Sequence, residues 1–207
     1  MRDYIEVAYG YLPYTDYPLT LVRWLINRFR MQLGSLIDVG AGRGEYVTAW
    51  REEGFHAHGI DRVDFDFDNP IEPFDNLDQP VDYMFCKSVL EHLYHPERIT
   101  SWMYENLAPG GRIILIMPDW HSCYRDYFNS YGHRTPFTVS AAKELLDLCG
   151  FDNICSTRFR PSGYLMKHQV LGALQIPVAN IIHKNDWGKW QFLQNRSRMV
   201  LATGIKT

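Results

Sequence analysis

Strand-like apolar runs alternate with stretches of helical spacing along most of this chain, and this alternation constrains the fold most strongly. The strand-like runs cover residues 35–39, 56–60, 81–86 and 112–117. The helical stretches cover residues 18–30, 45–53, 96–107 and 138–149. Apolar strands that alternate with helices are typical of a parallel sheet covered on both faces. We therefore predict an α/β fold with a doubly wound, mostly parallel sheet.

Composition indicates a chain that builds its own core and has no special affinity for polyanions. With 207 residues and 46% hydrophobic content, we predict a single domain over 1–207, with an N-terminal arm and helix over 1–32. A further segment, 161–195, is predicted to be an insertion that helps bind an acceptor. The net charge of -3 and the lack of a basic run argue against a nucleic-acid partner.

Cysteine spacing and hydropathy predict the compartment. The four cysteines include no CxxC pair, so we expect reduced thiols rather than a zinc or disulfide scaffold. The chain has no signal-like start and no run of about 18 apolar residues. We therefore predict a cytoplasmic protein without a membrane partner.

A glycine-rich turn follows the first strand. Gly40, Gly42 and Gly44 stand where a parallel sheet binds ligands, and Asp61 ends the next strand about 20 residues later. Glycine lets the backbone approach a ligand closely, and a carboxylate at that strand end suits the ribose of an adenosine. Nicotinamide cofactors use similar turns, but here Glu45 stands where the dinucleotide fingerprint has glycine.

Five segments in order resemble the small, single-domain class I methyltransferases that depend on S-adenosylmethionine (SAM). They are residues 36–44, 59–61, 66–74, 81–93 and 107–111. The resemblance covers roughly residues 33–160 and implies a seven-stranded sheet with an antiparallel C-terminal strand. One departure is clear, because Asp61 and Asp66 stand too close for the helix that the family usually has there.

The resemblance implies SAM as the cofactor and assigns the residues that bind it. Asp38 and the turn would hold the methionine part, Asp61 the ribose, and Asp66 and Phe67 the adenine. Cys86, Lys87 and Ser88, at the end of the strand that begins at residue 81, would line the methyl-donor pocket. The implied set is Asp38, Gly40, Ala41, Gly42, Gly44, Asp61, Arg62, Asp66, Phe67, Cys86, Lys87 and Ser88.

Histidines near the carboxyl ends of the strands are the candidates for the chemistry. Methyl transfer requires alignment of nucleophile and methyl group, and a hydroxyl acceptor also needs a base. We predict His133, His92 and His121 as catalytic candidates, and each has a purely structural alternative. Asp119 and His121 are too few ligands for a metal site, so we predict none.

The acceptor is predicted from the loop that follows the strand-like run at residues 112–117. Residues 118–138 resemble a loop in methyltransferases encoded beside glycan-assembly enzymes, which implies O-methylation of a sugar or polysaccharide hydroxyl. A small quinone- or phenol-type metabolite is the alternative acceptor. A nicotinamide-dependent sugar-nucleotide oxidoreductase and a non-catalytic SAM-binding module also stay open, as do a monomer and a homodimer.

Overall fold

A computed structural model describes residues 15–61, 77–161 and 198–207. These residues form one six-stranded sheet. The strands are β1 (Ser35–Val39), β2 (His56–Ile60), β3 (Val81–Lys87), β4 (Leu107–Pro118), β5 (Asp152–Phe159) and β6 (Met199–Ile205). The helices are α1 (Tyr17–Phe29), α2 (Glu45–Glu52), α3 (Pro96–Glu105), α4 (Trp120–Cys123) and α5 (Val139–Leu148).

The sheet order is β2-β1-β3-β4-β6-β5. β1 pairs in parallel with both β2 and β3, and β3 pairs in parallel with β4. Only β6 runs against its neighbours β4 and β5 among these described strands. The chain reverses its direction of travel across the sheet between β1 and β3, and ligands bind at the carboxyl edge beside such a switch point.

Helices cover both faces of the sheet because successive strand residues point to opposite sides. On one face, α1 and α2 contribute Leu21, Leu25 and Trp50 to a core with Phe85 and Ile114. The other face buries side chains of α3 and α5 against alternate residues of β3 and β4, among them Trp102, Met103, Leu146, Met84 and Leu115. The predicted doubly wound α/β architecture is therefore confirmed.

Local sequence signals place the helix ends. Pro18 stands in the first turn of α1, and Arg30 ends the helix in the left-handed region at φ 49°. Thr138 precedes α5 as its N-cap, and its hydroxyl accepts a hydrogen bond from the Ala141 N–H.

Two expectations about the sheet need adjustment. β4 begins at Leu107 instead of residue 112, because Leu107 already pairs with Val81. Pairing then resumes between Tyr83 and Arg112, so residues 108–111 form a bulge within the strand. The resemblance implies seven strands, and the described residues form six. Residues 1–14 and nearly all of the predicted insertion lie outside the described residues.

None of the helices in the described parts of the chain is long and apolar enough to cross a membrane. The segment from Pro118 to Pro136, predicted as a loop, contains α4 and a single 3-10 turn at Tyr127–Asn129. Trp120 packs against Tyr127 and Phe128 with ring centroids 5.2 and 5.7 Å apart. This aromatic packing gives the segment a core of its own at the carboxyl edge of the sheet.

Candidate active site

The glycine turn wraps around the carboxyl end of β1. Gly40, Gly42 and Gly44 have φ values of 79°, 52° and 75°, which favour glycine because residues with a side chain rarely adopt them. The N–H groups of Gly40 and Ala41 both donate to the Ile60 carbonyl, at 2.8 and 3.1 Å. The turn is thereby fastened to the end of β2 before α2 begins.

The three glycines differ in what surrounds them. A Cβ on Gly40 would lie 2.1 Å from Cγ2 of Val89, so glycine there permits close packing inside the protein. A Cβ on Gly42 or Gly44 would meet no atom within 4 Å among the described residues. No described residue therefore fills the space beside these two glycines, which leaves room among the described residues for a ligand to approach the backbone.

Asp38 is the buried carboxyl group beneath this turn. The residue is only 2% exposed, and its Oδ2 has no hydrogen-bond partner among the described residues. Burial raises the pKa of Asp38 to about 7, an effect that the charge of Lys87 opposes and that of Asp61 reinforces. A buried carboxylate without a partner is costly, so this position favours a cationic ligand.

Asp61 stands at the end of β2, on the other side of the turn. Its Oδ2 accepts a hydrogen bond from the Gly42 N–H at 2.5 Å. A carboxylate can accept several hydrogen bonds, so this contact orients the group and leaves capacity for ligand hydroxyls. Its sequence neighbours in the predicted cofactor set, Arg62, Asp66 and Phe67, lie outside the described residues.

Cys86, Lys87 and Ser88 end β3 next to β1, as predicted. Cys86 is buried, and burial raises the pKa of its thiol. The Lys87 Nζ lies 3.3 Å from the Ser88 Oγ and 5.4 Å from the centroid of the Tyr46 ring. Burial lowers the pKa of Lys87, and three surrounding carboxylates oppose that shift.

These features fit SAM, whose methionine part carries an ammonium and a sulfonium charge. Asp38 offers a buried anionic oxygen, and the Gly42–Gly44 backbone leaves space beside it. A dinucleotide would instead bring a pyrophosphate to the start of α2, where Glu45 adds negative charge. The negative charges of Asp38 and Glu45 therefore suit a sulfonium amino acid better than a pyrophosphate.

Two of the three predicted catalytic histidines lie next to each other in the structure. His92 follows β3 in a short 3-10 turn, His133 comes from the segment after α4, and their ring centroids lie 5.0 Å apart. His133 Nδ1 is 2.7 Å from the Tyr127 carbonyl oxygen. Burial lowers the pKa of His92 to about 4 and lowers that of His133 as well, so both rings are neutral near pH 7.

Glu91 joins this pair and was missed as a candidate in the sequence. Glu91 is 1% exposed. A carboxylate oxygen of Glu91 and one ring nitrogen each of His92 and His133 all lie within 4.8 Å of one another. Burial raises the pKa of Glu91 to about 7. Its position directly before His92, just beyond a strand, was the signal that could have found it.

The other histidines near this edge are placed differently. His121 lies exposed on α4, away from any described hydrogen bond or ring contact. The residue considered with it, Asp119, is fully buried, and its Oδ2 lies 2.8 Å from Nε of Arg158. Asp119 therefore pairs with a cation of β5 rather than with His121.

Exposed aromatic side chains surround Arg134, the residue after His133. Its guanidinium carbon lies 5.5 Å from the Tyr94 ring centroid and 5.2 Å from that of Tyr131. The two tyrosines are 59% and 84% exposed. They form an open aromatic surface beside the histidine pair, of the kind that stacks on planar or sugar ligands.

Comparison with known proteins decides between the cofactor classes that such a turn can serve. Residues 17–156 match the family described as a methyltransferase domain. This chain belongs to that methyltransferase family. The prediction of a class I SAM-dependent methyltransferase is thereby confirmed, and SAM is the cofactor expected of this family.

Individual relatives are more distant. Phosphoethanolamine N-methyltransferase 2 of Caenorhabditis elegans is 25% identical over 151 residues, which cover 61% of this chain and 34% of that protein. The methyltransferase chain thus spans about a third of the length of this curated relative.

Solved structures show the same fold at low identity. A SAM-dependent methyltransferase from Archaeoglobus fulgidus superimposes with a TM-score of 0.58 at 16% identity, covering 90% of this chain and 94% of that one. Haemonchus contortus phosphoethanolamine N-methyltransferase 2, in complex with phosphomonomethylethanolamine and S-adenosylhomocysteine, gives 0.57 at 16% identity, covering 90% of this chain and 52% of that one.

Proposed function

We propose that this methyltransferase transfers the methyl group of SAM to a hydroxyl group of a sugar or polysaccharide. The observation that carries the cofactor part of the proposal is the buried Asp38 carboxyl group, which lies beside the glycine turn and next to the end of β3. That arrangement supports a bound sulfonium whose methyl group is directed toward the acceptor side of the sheet edge.

The cofactor is held from two sides in this proposal. Asp38 and the turn from Gly40 to Gly44 receive the methionine part, and Asp61 receives the ribose hydroxyls. The 2.5 Å hydrogen bond from the Gly42 N–H to Asp61 supports this role, because it orients the carboxylate toward the turn. Arg62, Asp66 and Phe67 remain the proposed contacts to the rest of the adenosine.

The acceptor side is built by the histidine pair and the aromatic surface. A sugar hydroxyl must lose its proton as it attacks the methyl group, and His133 or His92 is the proposed base. His121 is the third candidate and would need to reach the acceptor from the exposed face of α4. Tyr94 and Tyr131 offer exposed rings on which a sugar can stack.

A smaller acceptor is the second candidate. The likeness to a phosphoethanolamine N-methyltransferase favours a small phosphorylated amine, and a quinone- or phenol-type hydroxyl is the alternative that the sequence left open. An amine attacks only when it is neutral, and a primary amine is mostly an ammonium near pH 7, so an N-methyltransferase needs that proton removed before the attack rather than during it.

The test combines cofactor binding with methyl transfer. Calorimetric titration with SAM and, separately, with NAD should show one-to-one binding of SAM alone. Tritiated SAM is then offered with oligosaccharides, catechols and phosphoethanolamine. Label on the oligosaccharide supports the main proposal, and label only on phosphoethanolamine or a catechol moves the acceptor to the second candidate. SAM binding without transfer to any acceptor would favour a non-catalytic binding module.

A further inference from the structure

We infer that Glu91, His92 and His133 form a binding site for one divalent transition-metal ion. The inference deepens the proposed function, on which it rests for the role of the metal but not for metal binding itself. Sequence analysis considers only Asp119 and His121 as ligands and predicts no metal site. His133 is distant in the chain from Glu91 and His92, and the fold brings these three together.

The distances between the three ligand atoms are close to those of a metal site. One atom from each residue lies within 4.8 Å of the other two. Ligands that bind one ion tetrahedrally at about 2.1 Å are about 3.4 Å apart, so movements of up to roughly 1.4 Å complete the set. Side-chain rotation alone supplies a movement of that size.

Glu91 carries the observation that points to a cation. Its Oε2 is fully buried and has no hydrogen-bond partner among the described residues. Leaving a buried carboxyl oxygen without a donor is costly, and a bound cation removes that cost. The Lys87 ammonium attracts Glu91 electrostatically, but its described hydrogen bond goes to Ser88.

The surroundings hold the ligands in place, as the outer shell of a metal site does. Because a carbonyl only accepts hydrogen bonds, the 2.7 Å contact to Tyr127 places a proton on His133 Nδ1 and the lone pair on Nε2. The Gly132 backbone hydrogen-bonds His92. The Glu91 carbonyl accepts hydrogen bonds from the N–H groups of Arg134 and Thr135, which ties both chain segments together.

The ligand types select the class of ion. Two imidazoles and one carboxylate suit zinc, iron, cobalt or nickel, whereas magnesium prefers an all-oxygen set. Three protein ligands also leave at least one coordination position open, as in catalytic sites. We therefore expect Zn²⁺ and Co²⁺ to bind and Mg²⁺ to bind poorly.

The open position gives the ion a role in the proposed transfer. An acceptor hydroxyl bound to the metal becomes more acidic and releases its proton to solvent. Its oxygen then forms the new bond to the methyl carbon as the carbon–sulfur bond breaks, and the electron pair returns to sulfur. Metal-bound imidazoles cannot also serve as the base, so metal binding and imidazole catalysis are competing accounts of this pair.

The experiment titrates the chelator-treated chain with Co²⁺ and follows visible absorption. We expect one equivalent to bind with an intense ligand-field band, and Zn²⁺ to displace it. Glu91→Gln and His133→Asn should each weaken binding by at least about tenfold. His95→Asn and His56→Asn should bind as the unchanged chain does, since His95 belongs to an exposed pair with Glu97 and His56 is exposed on β2.

Several outcomes would overturn the inference. These are the absence of a Co²⁺ band in the unchanged chain and equal binding by Glu91→Gln, His133→Asn and the controls. If those variants do not fold by circular dichroism, X-ray absorption of the zinc-loaded unchanged chain replaces them. Nitrogen and oxygen ligands support the site, and a sulfur ligand refutes it.

SAM titration of the same metal-free chain separates the two proposals. SAM binding without metal binding refutes only the metal site and leaves the histidines as the base. Metal binding without SAM binding refutes the proposed function, and the site then keeps its ligands but loses the role given to the ion.

Discussion

Replacing Gly42 with alanine tests whether the open space at the glycine turn belongs to the cofactor. The backbone there has φ 52°, and a Cβ would contact no atom within 4 Å among the described residues. Left-handed backbone costs alanine about 1–2 kcal/mol, and the less flexible unfolded chain returns part of that, so we expect a loss of roughly 1 kcal/mol in stability. For a chain of this size, Tm should fall by about 2–4 °C.

The effect on SAM binding should be larger than the effect on folding. If the cofactor fills the space beside the turn, the added methyl group overpacks it at a cost of about 1–3 kcal/mol. That loss corresponds to a roughly 5- to 150-fold weaker Kd. Calorimetric titration with SAM measures the affinity, and a thermal melt of the same sample measures the stability.

Gly110→Ala is the matched control. Gly110 has φ 79°, and a Cβ added there would also meet no described atom within 4 Å, but it lies in the β4 bulge at the opposite end of the strand from the site. The variant should lose a similar amount of stability and bind SAM normally. If Gly42→Ala binds SAM as tightly as Gly110→Ala, the cofactor does not occupy the space at the turn and our reasoning is refuted.

The remaining predictions concern Asp61, Asp38 and the histidines. Asp61→Ala should weaken SAM binding by about 1–3 kcal/mol through lost charged hydrogen bonds, and unchanged affinity by calorimetry would remove its ribose role. The pKa of Asp38 is about 7 without ligand, and a cationic ligand lowers it, so SAM affinity should rise with pH up to about 7 and then level off. Asp38→Asn should flatten this profile, and a persisting slope would assign the titration to another group. His133→Ala and His92→Ala should lower turnover more than SAM affinity, and normal turnover in both would exclude each as the base or as a ligand of a catalytic metal ion.

The sequence predicted the sheet well because its signals are local. The runs at 35–39 and 56–60 coincide with β1 and β2, and the helical stretch at 138–149 contains α5. β4 was predicted too short because its first pairing, between Leu107 and Val81, depends on a neighbouring strand.

One part of the candidate site could be predicted from the sequence, and another part could not. The glycine turn and Asp61 follow consecutive strands, so their approach could be predicted from parallel topology. The grouping of Glu91, His92 and His133 could not, because it depends on how the segment after β4 folds back over β3. Tyr127 fixes that return by donating its hydroxyl proton to the Thr135 carbonyl, a contact that no spacing rule predicts.

A crystal structure with S-adenosylhomocysteine tests the central claim most directly. We predict that the ligand's ammonium group lies within hydrogen-bond distance of Asp38 Oδ2 and that its ribose hydroxyls bind the Asp61 carboxylate. The part of the ligand between these groups should lie against the Gly42–Gly44 backbone. A ligand bound elsewhere, or a bound ligand that leaves the Asp38 carboxyl group without a partner, would contradict the account.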